Sequence, residues 1–282
     1  MGEADLRRII ARVEDLPTLP RTVLRITELV NDPRASAKDL SIIITDDQVL
    51  TARLLKLVNS SFYGFPTRVS TVTGAIVLLG FDAIRNLLLT TSVLDLFPAR
   101  IAKVRRDQEQ LWDHSLGCAI GAKSIGNFLR HDKLEELFVA GLLHDIGKIV
   151  EMMFLPDEFA RITERVRAEG VLISSAEQDL LGCTHADIGR LLAERWNLPA
   201  KLAGVIARHH TPAASGPFAL EASIVHLADI FTRALDLGSG GDDKVPPLDK
   251  AAWDLLKLKT GAVDAIMASM LTEFDDIRSF LG

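Results

Sequence analysis

The stretch LFVAGLLHDIGKIV, Leu137 to Val150, sets an imidazole, a carboxylate and an ammonium into the most apolar run of the chain. A buried polar group left without a partner costs roughly 1–3 kcal/mol. Any fold that buries this run must therefore supply partners for His144, Asp145 and Lys148. The run reads as helix, with Gly141 and Gly147 serving close helix packing rather than helix ending. Lys148 lies one turn beyond His144. It either turns inward to stabilise developing charge or snorkels out to solvent.

The helical pattern extends over nearly the whole sequence. Apolar residues recur at i, i+3, i+4 and i+7 in Leu6, Ile9, Ile10 and Val13, and again through Val23, Leu24, Ile26, Leu29 and Val30. No long alternating run argues for a sheet. The expected fold class is all-α. Ser36 and Asp39 have capping-box spacing, and Asp46 or Asp47 suits the start of the next helix. Asn59–Ser70 is a break, punctuated by Gly64 and Pro66, and its Phe62, Tyr63 and Phe65 need a surface to pack on. Pro98 closes another helical stretch. Arg100, Lys103, Arg105 and Arg106 then read as a solvated linker helix, with phosphate binding the lesser alternative. A boundary near this point gives two domains, 1–106 and 107–282. DLGSGGDDKVPPLDK, Asp236 to Lys250, reads as a mobile surface loop.

The formal charge of −6 gives no global drive toward DNA or an anionic membrane. The apolar run around Leu87 to Phe97 is too short to span a bilayer. No apolar leader follows the first residues, and the two cysteines, Cys118 and Cys183, read as buried free thiols. Both features point to a reducing cytoplasm.

The seven histidines are His114, His131, His144, His185, His209, His210 and His226. His131, in RHDK, is expected at the surface. The others sit in or beside apolar helical context. One such histidine would be a hydrogen-bonded core residue; a whole set with Asp145 and Asp229 suits a divalent ion such as iron, manganese or zinc. Neighbours on a helix point about 100° apart, so His144 and Asp145 can reach one ion, as can His209 and His210. His226 and Asp229 share a helix face. His114 is expected to begin one helix and His185 another. A metal in such a cage acidifies bound water and polarises a phosphoryl oxygen.

LLHDIGK with its flanking histidines resembles the HD superfamily of metal-dependent phosphohydrolases. LPTLPRTVLRITELVNDPRASAKDLSIIITDDQVLTARLLKLVNSSFYG, VSTVTGAIVLLGFDAIRNLLL, LGCTHADIGRLLAERWNLP, IARHH and IVHLADIF resemble the HDOD domain, an HD-related output domain of bacterial signalling proteins. The resemblance covers about residues 10 to 280. It implies a small N-terminal helical subdomain packed on a larger HD-like helical bundle. It implies a regulatory role with an unidentified signalling protein as partner, and no general enzymatic activity. By resemblance to the HD enzymes, His114, His144, Asp145 and Asp229 match metal positions. By resemblance to the cyclic-di-GMP phosphodiesterases of the HD-GYP type, His185, His209 and His210 match further ones. In an enzyme, Lys148 and Asp145 would be the catalytic pair, acting on a nucleotide or a cyclic dinucleotide. The Gly-Tyr-Pro signature of those phosphodiesterases is absent: TPAASGPF follows the double histidine, and the single tyrosine is Tyr63. The expected cofactor is one or two divalent ions.

Overall fold

The computed structural model describes residues 34–59, 67–81 and 102–281, together with Arg25, Ile26, Leu29, Tyr63, Phe65, Ala83, Ile84, Leu87 and Leu88. The helix expected over Leu6–Val13, Phe62, and the side chains of Arg100, Lys103 and Arg105 lie outside the described residues. Among the described residues there is no strand, and the fold is all-α. The chain divides into two compact units, Met1–Pro17 with Ala99–Ala268, and Thr18–Pro98 with Ser269–Gly282. Among the described residues no helix is long and apolar enough to cross a membrane.

The smaller unit contains α1 (Ala37–Thr45), α2 (Gln48–Val58) and α3 (Val72–Leu79). The expected caps form. Ser36 Oγ accepts from the Asp39 N–H, while Asp39 Oδ2 accepts from the Ser36 N–H at 3.0 Å. Asp47 Oδ1 accepts from the Leu50 N–H, so Asp47 starts α2. Thr71 caps α3, and Gly80, at φ +85°, ends it. Leu40, Ile44, Leu54, Val58, Ile76 and Ile84 form the core of this unit. Asn59 closes the break after α2: its Nδ2 donates to the carbonyls of Leu55 and Val69, and its Oδ1 accepts from the Val69 N–H. Tyr63 and Phe65 stack at 5.9 Å and pack against that core.

The larger unit holds α4 (Ala102–Phe128), α5 (Leu134–Leu143), α6 (Ile146–Phe154), α7 (Pro156–Glu169), α8 (Ile173–Leu181), α9 (His185–Arg195), α10 (Ala200–Arg208), α11 (Ala219–Ala234) and α12 (Lys250–Leu256); α13 (Val263–Leu281) begins in it. Two glycines set close approaches between its helices. A Cβ on Gly141 would lie 2.7 Å from the Cys118 carbonyl oxygen, so α5 lies backbone to backbone on α4. A Cβ on Gly147 would collide with the His185 carbonyl, so α6 does the same at the start of α9. Both glycines serve packing, as their apolar setting predicts.

Two elements differ from the sequence expectation. The Leu137–Val150 run is not one helix: α5 ends at Leu143, His144 and Asp145 form a turn, and α6 begins at Ile146. His114 does not open a helix either. It lies in the middle of the 27-residue α4, because the polar stretch before it stays helical.

Candidate metal centre

Five elements deliver the polar side chains. His114 comes from the middle of α4, His144 and Asp145 from the α5–α6 turn, and His185 from the first position of α9. His209 and His210 form the turn after α10, and Asp229 lies on α11. The turn is what lets His144 and Asp145 aim at one centre. The His144 Nε2 and Asp145 Oδ2 atoms are 3.3 Å apart.

Asp145 lies at the middle of the cluster. Its Oδ2 is 3.4 Å from His114 Nε2, and its Oδ1 is 3.1 Å from His185 Nε2 and 3.6 Å from His209 Nε2. His114 Nε2 also lies 3.2 Å from Asp229 Oδ1. On the far side His210 Nε2 is 2.9 Å from His185 Nε2 and 3.1 Å from His209 Nε2. Three overlapping groups could each hold a metal ion: His114, His144 and Asp229; His144, Asp145 and His209; and His185, His209 and His210. The structure thus brings together every residue that the resemblance places at a metal position. Lys148 joins them from α6. It is fully buried, and its Nζ donates to Asp145 Oδ2 at 2.6 Å, so it does not snorkel to solvent.

The rings are oriented from behind. Nδ1 of His144 bonds the Gly141 carbonyl at 2.6 Å, Nδ1 of His209 bonds the Ile206 carbonyl at 2.8 Å, and Nδ1 of His185 bonds Glu177. A carbonyl or carboxylate only accepts, so each Nδ1 carries the proton and each Nε2 faces the centre, as metal-ligating imidazoles do. Asp229 is held in turn. Arg233 Nε donates to Asp229 Oδ1 and Arg233 Nη1 to Asp242 Oδ1, both at 2.9 Å.

The donor set fits a cation. His114 Nε2, His144 Nε2, Asp145 Oδ1 and Asp229 Oδ2 are buried and make no hydrogen bond of acceptable geometry. Buried polar atoms are ordinarily satisfied, and these converge on one volume. The electrostatics agree. Burial opposes the Asp145 charge, but His144, Lys148 and His185 outweigh it and hold this carboxyl well below the usual carboxylate range. Asp229 is held low too, where Arg233 and then His114 outweigh burial. Burial drives His209 well below the ordinary histidine value, with His210 adding to it, and does the same to His210, with His185 adding to it. His144 moves the other way: burial lowers it, but the Asp145 charge raises it well above. For His185, burial lowers it, but Glu177 and Asp145 together outweigh burial and raise it.

The remaining histidines stand apart. His226 is a hydrogen-bonded core residue: its Nδ1 donates to the His209 carbonyl and its Nε2 accepts from the Asp249 N–H. It braces the double-histidine turn rather than facing the centre. His131 is outside the cluster, and it is only 11% exposed rather than a surface residue, because it sits over Gly126 and accepts from the Lys133 N–H. Sequence reasoning missed Glu177, Glu151 and Arg233. For Glu177 a signal was present. The buried face of α8 is Ile173, Ala176, Glu177 and Leu181, so this carboxylate occupies an apolar-face position. Cys118 and Cys183 are free and buried, as expected.

Known proteins share this arrangement of helices. An HDOD domain protein of unknown function from Geobacter sulfurreducens is 30% identical, with a TM-score of 0.79 over 96% of this chain and 95% of that one. A candidate phosphohydrolase of Shewanella amazonensis SB2B is 25% identical, with a TM-score of 0.75 over 97% and 98%. A candidate signal transduction protein of Marinobacter aquaeolei VT8 is 25% identical, with a TM-score of 0.74 over 98% of this chain and 64% of that one. An uncharacterized protein of Treponema pallidum (strain Nichols) is 29% identical over 234 residues, which are 81% of this chain and 44% of that protein. This chain therefore spans less than half the length of that relative. The HDOD domain pattern itself matches residues 16–212, and with the cluster built on the fold of its relatives, the chain belongs to the HDOD domain family.

Proposed function

We propose that this chain is a regulatory output module of a bacterial signalling system, and that it keeps a divalent metal site. One observation carries the reading: the donor set is complete but sealed. His114, His144, Asp145, His185, His209 and Asp229 are each at most 1% exposed, and only His210 is half-buried. A hydrolytic metal needs an open position and a cleft that admits substrate. A buried set suits a metal that holds or senses a conformation.

His114, His144 and Asp229 would take one end of the site and His185, His209 and His210 the other, with Asp145 between. This mixture of nitrogen and oxygen donors suits iron, manganese or zinc. A bound ion would supply Lewis acidity and an acidified water. The partner would be another signalling protein, met on the smaller unit; the likeness to the Marinobacter aquaeolei protein supports only the signalling role.

A second reading, a phosphohydrolase acting on a nucleotide or cyclic dinucleotide, is favoured by Lys148. Its ammonium is spent inside the site, on Asp145, where it could stabilise a phosphoryl oxygen or protonate a leaving group. The likeness to the Shewanella amazonensis protein supports it as well.

The test is metal content by mass spectrometry, on protein purified without a histidine tag or chelator, beside Asp145→Ala. Near-stoichiometric metal, lost in the variant, supports the site. The loaded protein is then screened on phosphodiesters and cyclic dinucleotides. No turnover supports the regulatory reading. Turnover that vanishes in Asp145→Ala and Lys148→Met selects the hydrolase. No metal after anaerobic loading with iron or manganese overturns the metal site.

A further inference from the structure

A cavity of about 610 Å³ lies in the larger unit, walled by α7, the end of α6, the first turns of α4 and the loop Ser239–Lys244. That is the size of a small-molecule site. None of the candidate metal donors lines it. Met152, Phe159, Val166 and Val171 give it an apolar lining. Arg167 and Lys244 line it with positive charge, and Asp107 and Asp243 with negative charge. Among the described residues, none of these four side chains is bonded to a partner. The contrast lies within one helix: Arg165, two residues before Arg167 on α7, is paired with Glu169 and Asp179. Exposed charges are ordinarily solvated; what marks these four is that they line one apolar cavity. The fifth charge, Asp242, is spent. It accepts from the Ile173 N–H at 2.8 Å, and from the Lys244 N–H and Arg233 Nη1 at 2.9 Å. Two positive and two negative groups around an apolar lining complement a molecule that carries both charges on an apolar body.

We propose that this cavity binds a small zwitterion with an apolar body, of the amino-acid class, and that Asp242 and Arg233 connect its wall to the metal centre. Asp242 lines the cavity, and the Arg233 that it holds donates to Asp229 Oδ1 at 2.9 Å. A Cβ on Gly240 would meet the Arg233 guanidinium, so the loop backbone lies directly on it. The far end of the same loop reaches the other side of the centre. The Asp249 N–H donates to His226 Nε2 at 3.0 Å, and His226 Nδ1 donates to the His209 carbonyl at 2.8 Å. A ligand that holds this loop in place therefore holds the groups behind Asp229 and behind His209. The binding site stands apart from the metal reading; its connection to the centre rests on that reading.

The test uses chelator-treated protein and four fluorescent probes that share one dansyl body. Nε-dansyl-lysine is a zwitterion, dansylcadaverine a cation, dansylglycine an anion, and dansyl amide is uncharged. Nε-dansyl-lysine should bind at one per chain and about five-fold more tightly than any of the others, as two exposed ion pairs would give. Arg167→Gln and Asp107→Asn each remove one charge from the lining, and each should cut that advantage to about two-fold with thermal unfolding unchanged. No binding of Nε-dansyl-lysine, a cation or anion that binds as tightly, or an advantage kept in both variants overturns the site. Manganese then tests the connection. Saturating Nε-dansyl-lysine should tighten manganese binding about five-fold, and by linkage saturating manganese should tighten Nε-dansyl-lysine by the same factor. Asp242→Asn removes the charge that holds Arg233 and should bring the factor below about two-fold. No tightening in the wild type, or the full factor in Asp242→Asn, overturns the connection; the wild type decides it alone if that variant fails to fold. A wild type that binds no manganese sinks the metal reading and the connection with it, while the probe affinities still decide the site.

Discussion

Lys148 Nζ lies 2.6 Å from Asp145 Oδ2, and neither side chain is more than 1% exposed. Breaking a buried ion pair by deleting one partner costs about 3–5 kcal/mol, because the other charge stays buried and unpaired. Asp145 keeps His144 and His185 as neighbours, so Lys148→Met should destabilise the metal-free protein by somewhat less than that. A divalent ion supplies the positive charge that the variant lacks, so saturating manganese should recover much of the loss. Urea denaturation with chelator and with manganese checks both parts. An equal loss in the two conditions would mean that no ion reaches Asp145.

The histidines give the site a pH dependence with a definite sign. His144 and His185 have folded pKa values raised above the usual 6.5, by Asp145 and Glu177 respectively, against burial. A metal takes the neutral imidazole, so binding must release the protons they hold. Metal affinity should rise as pH climbs toward their raised folded pKa values, by about ten-fold per unit for each proton displaced, and level off above them. The metal-free protein should behave oppositely. A group whose folded pKa is raised contributes stability that is full below its unfolded pKa and is lost as pH rises through the folded one. Chelator-treated protein should thus lose stability over the same window in which manganese binds more tightly. Manganese titrations and urea midpoints at a series of pH values measure the two trends.

Much of this arrangement was legible in the sequence, and the exceptions have physical reasons. Period-3.6 spacing announces the helices. His185 follows a capping box formed by Thr184 and Asp187, so its place at a helix start could be read. The break at His144–Asp145 could not, since no glycine or proline marks it and it depends on α5 and α6 packing separately. Glu151, Glu177 and Arg233 are acids and bases of the kind that ordinarily face water on a helix. Their burial is set by partners on the next element rather than on their own helix: Glu177 by His185 at the start of α9, and Arg233 by Asp242 in a loop that reads as solvent-facing. Lys148 was ambiguous for the same reason, because spacing gives a face of a helix but not what lies against it.

Gly147 offers a test of how closely α6 must approach α9. A Cβ there meets the carbonyl of His185, a backbone atom that cannot turn away. Overpacking of this kind costs typically about 1–3 kcal/mol. The displaced residue is also a candidate ligand, so Gly147→Ala should lose metal as well as stability. Gly141→Ala meets the backbone of Cys118 and Ala119 instead. It should cost a similar stability with a smaller effect on metal content. Thermal denaturation and metal analysis of the two variants separate the effects; equal metal retention in both would show that the α6–α9 approach does not set the site.

Asn59 makes the corresponding test in the smaller unit. Its side chain donates to the carbonyls of Leu55 at 2.6 Å and Val69 at 2.8 Å, and accepts from the Val69 N–H at 2.7 Å. It thereby ties the end of α2 to the segment that leads into α3. Val69 is buried, so Asn59→Ala leaves backbone groups without partners, at about 1–3 kcal/mol. Asn59→Asp is the sharper variant. It keeps the acceptor for the Val69 N–H but replaces both donors with oxygen, which sets a carboxylate against two carbonyls. It should be the less stable of the two above the usual carboxylate pKa of about 4, and acidification should relieve it. Neither change touches a candidate metal ligand, so metal content should stay at the wild-type level. Loss of metal in Asn59→Ala under conditions where the protein remains folded would show that the two units are energetically coupled.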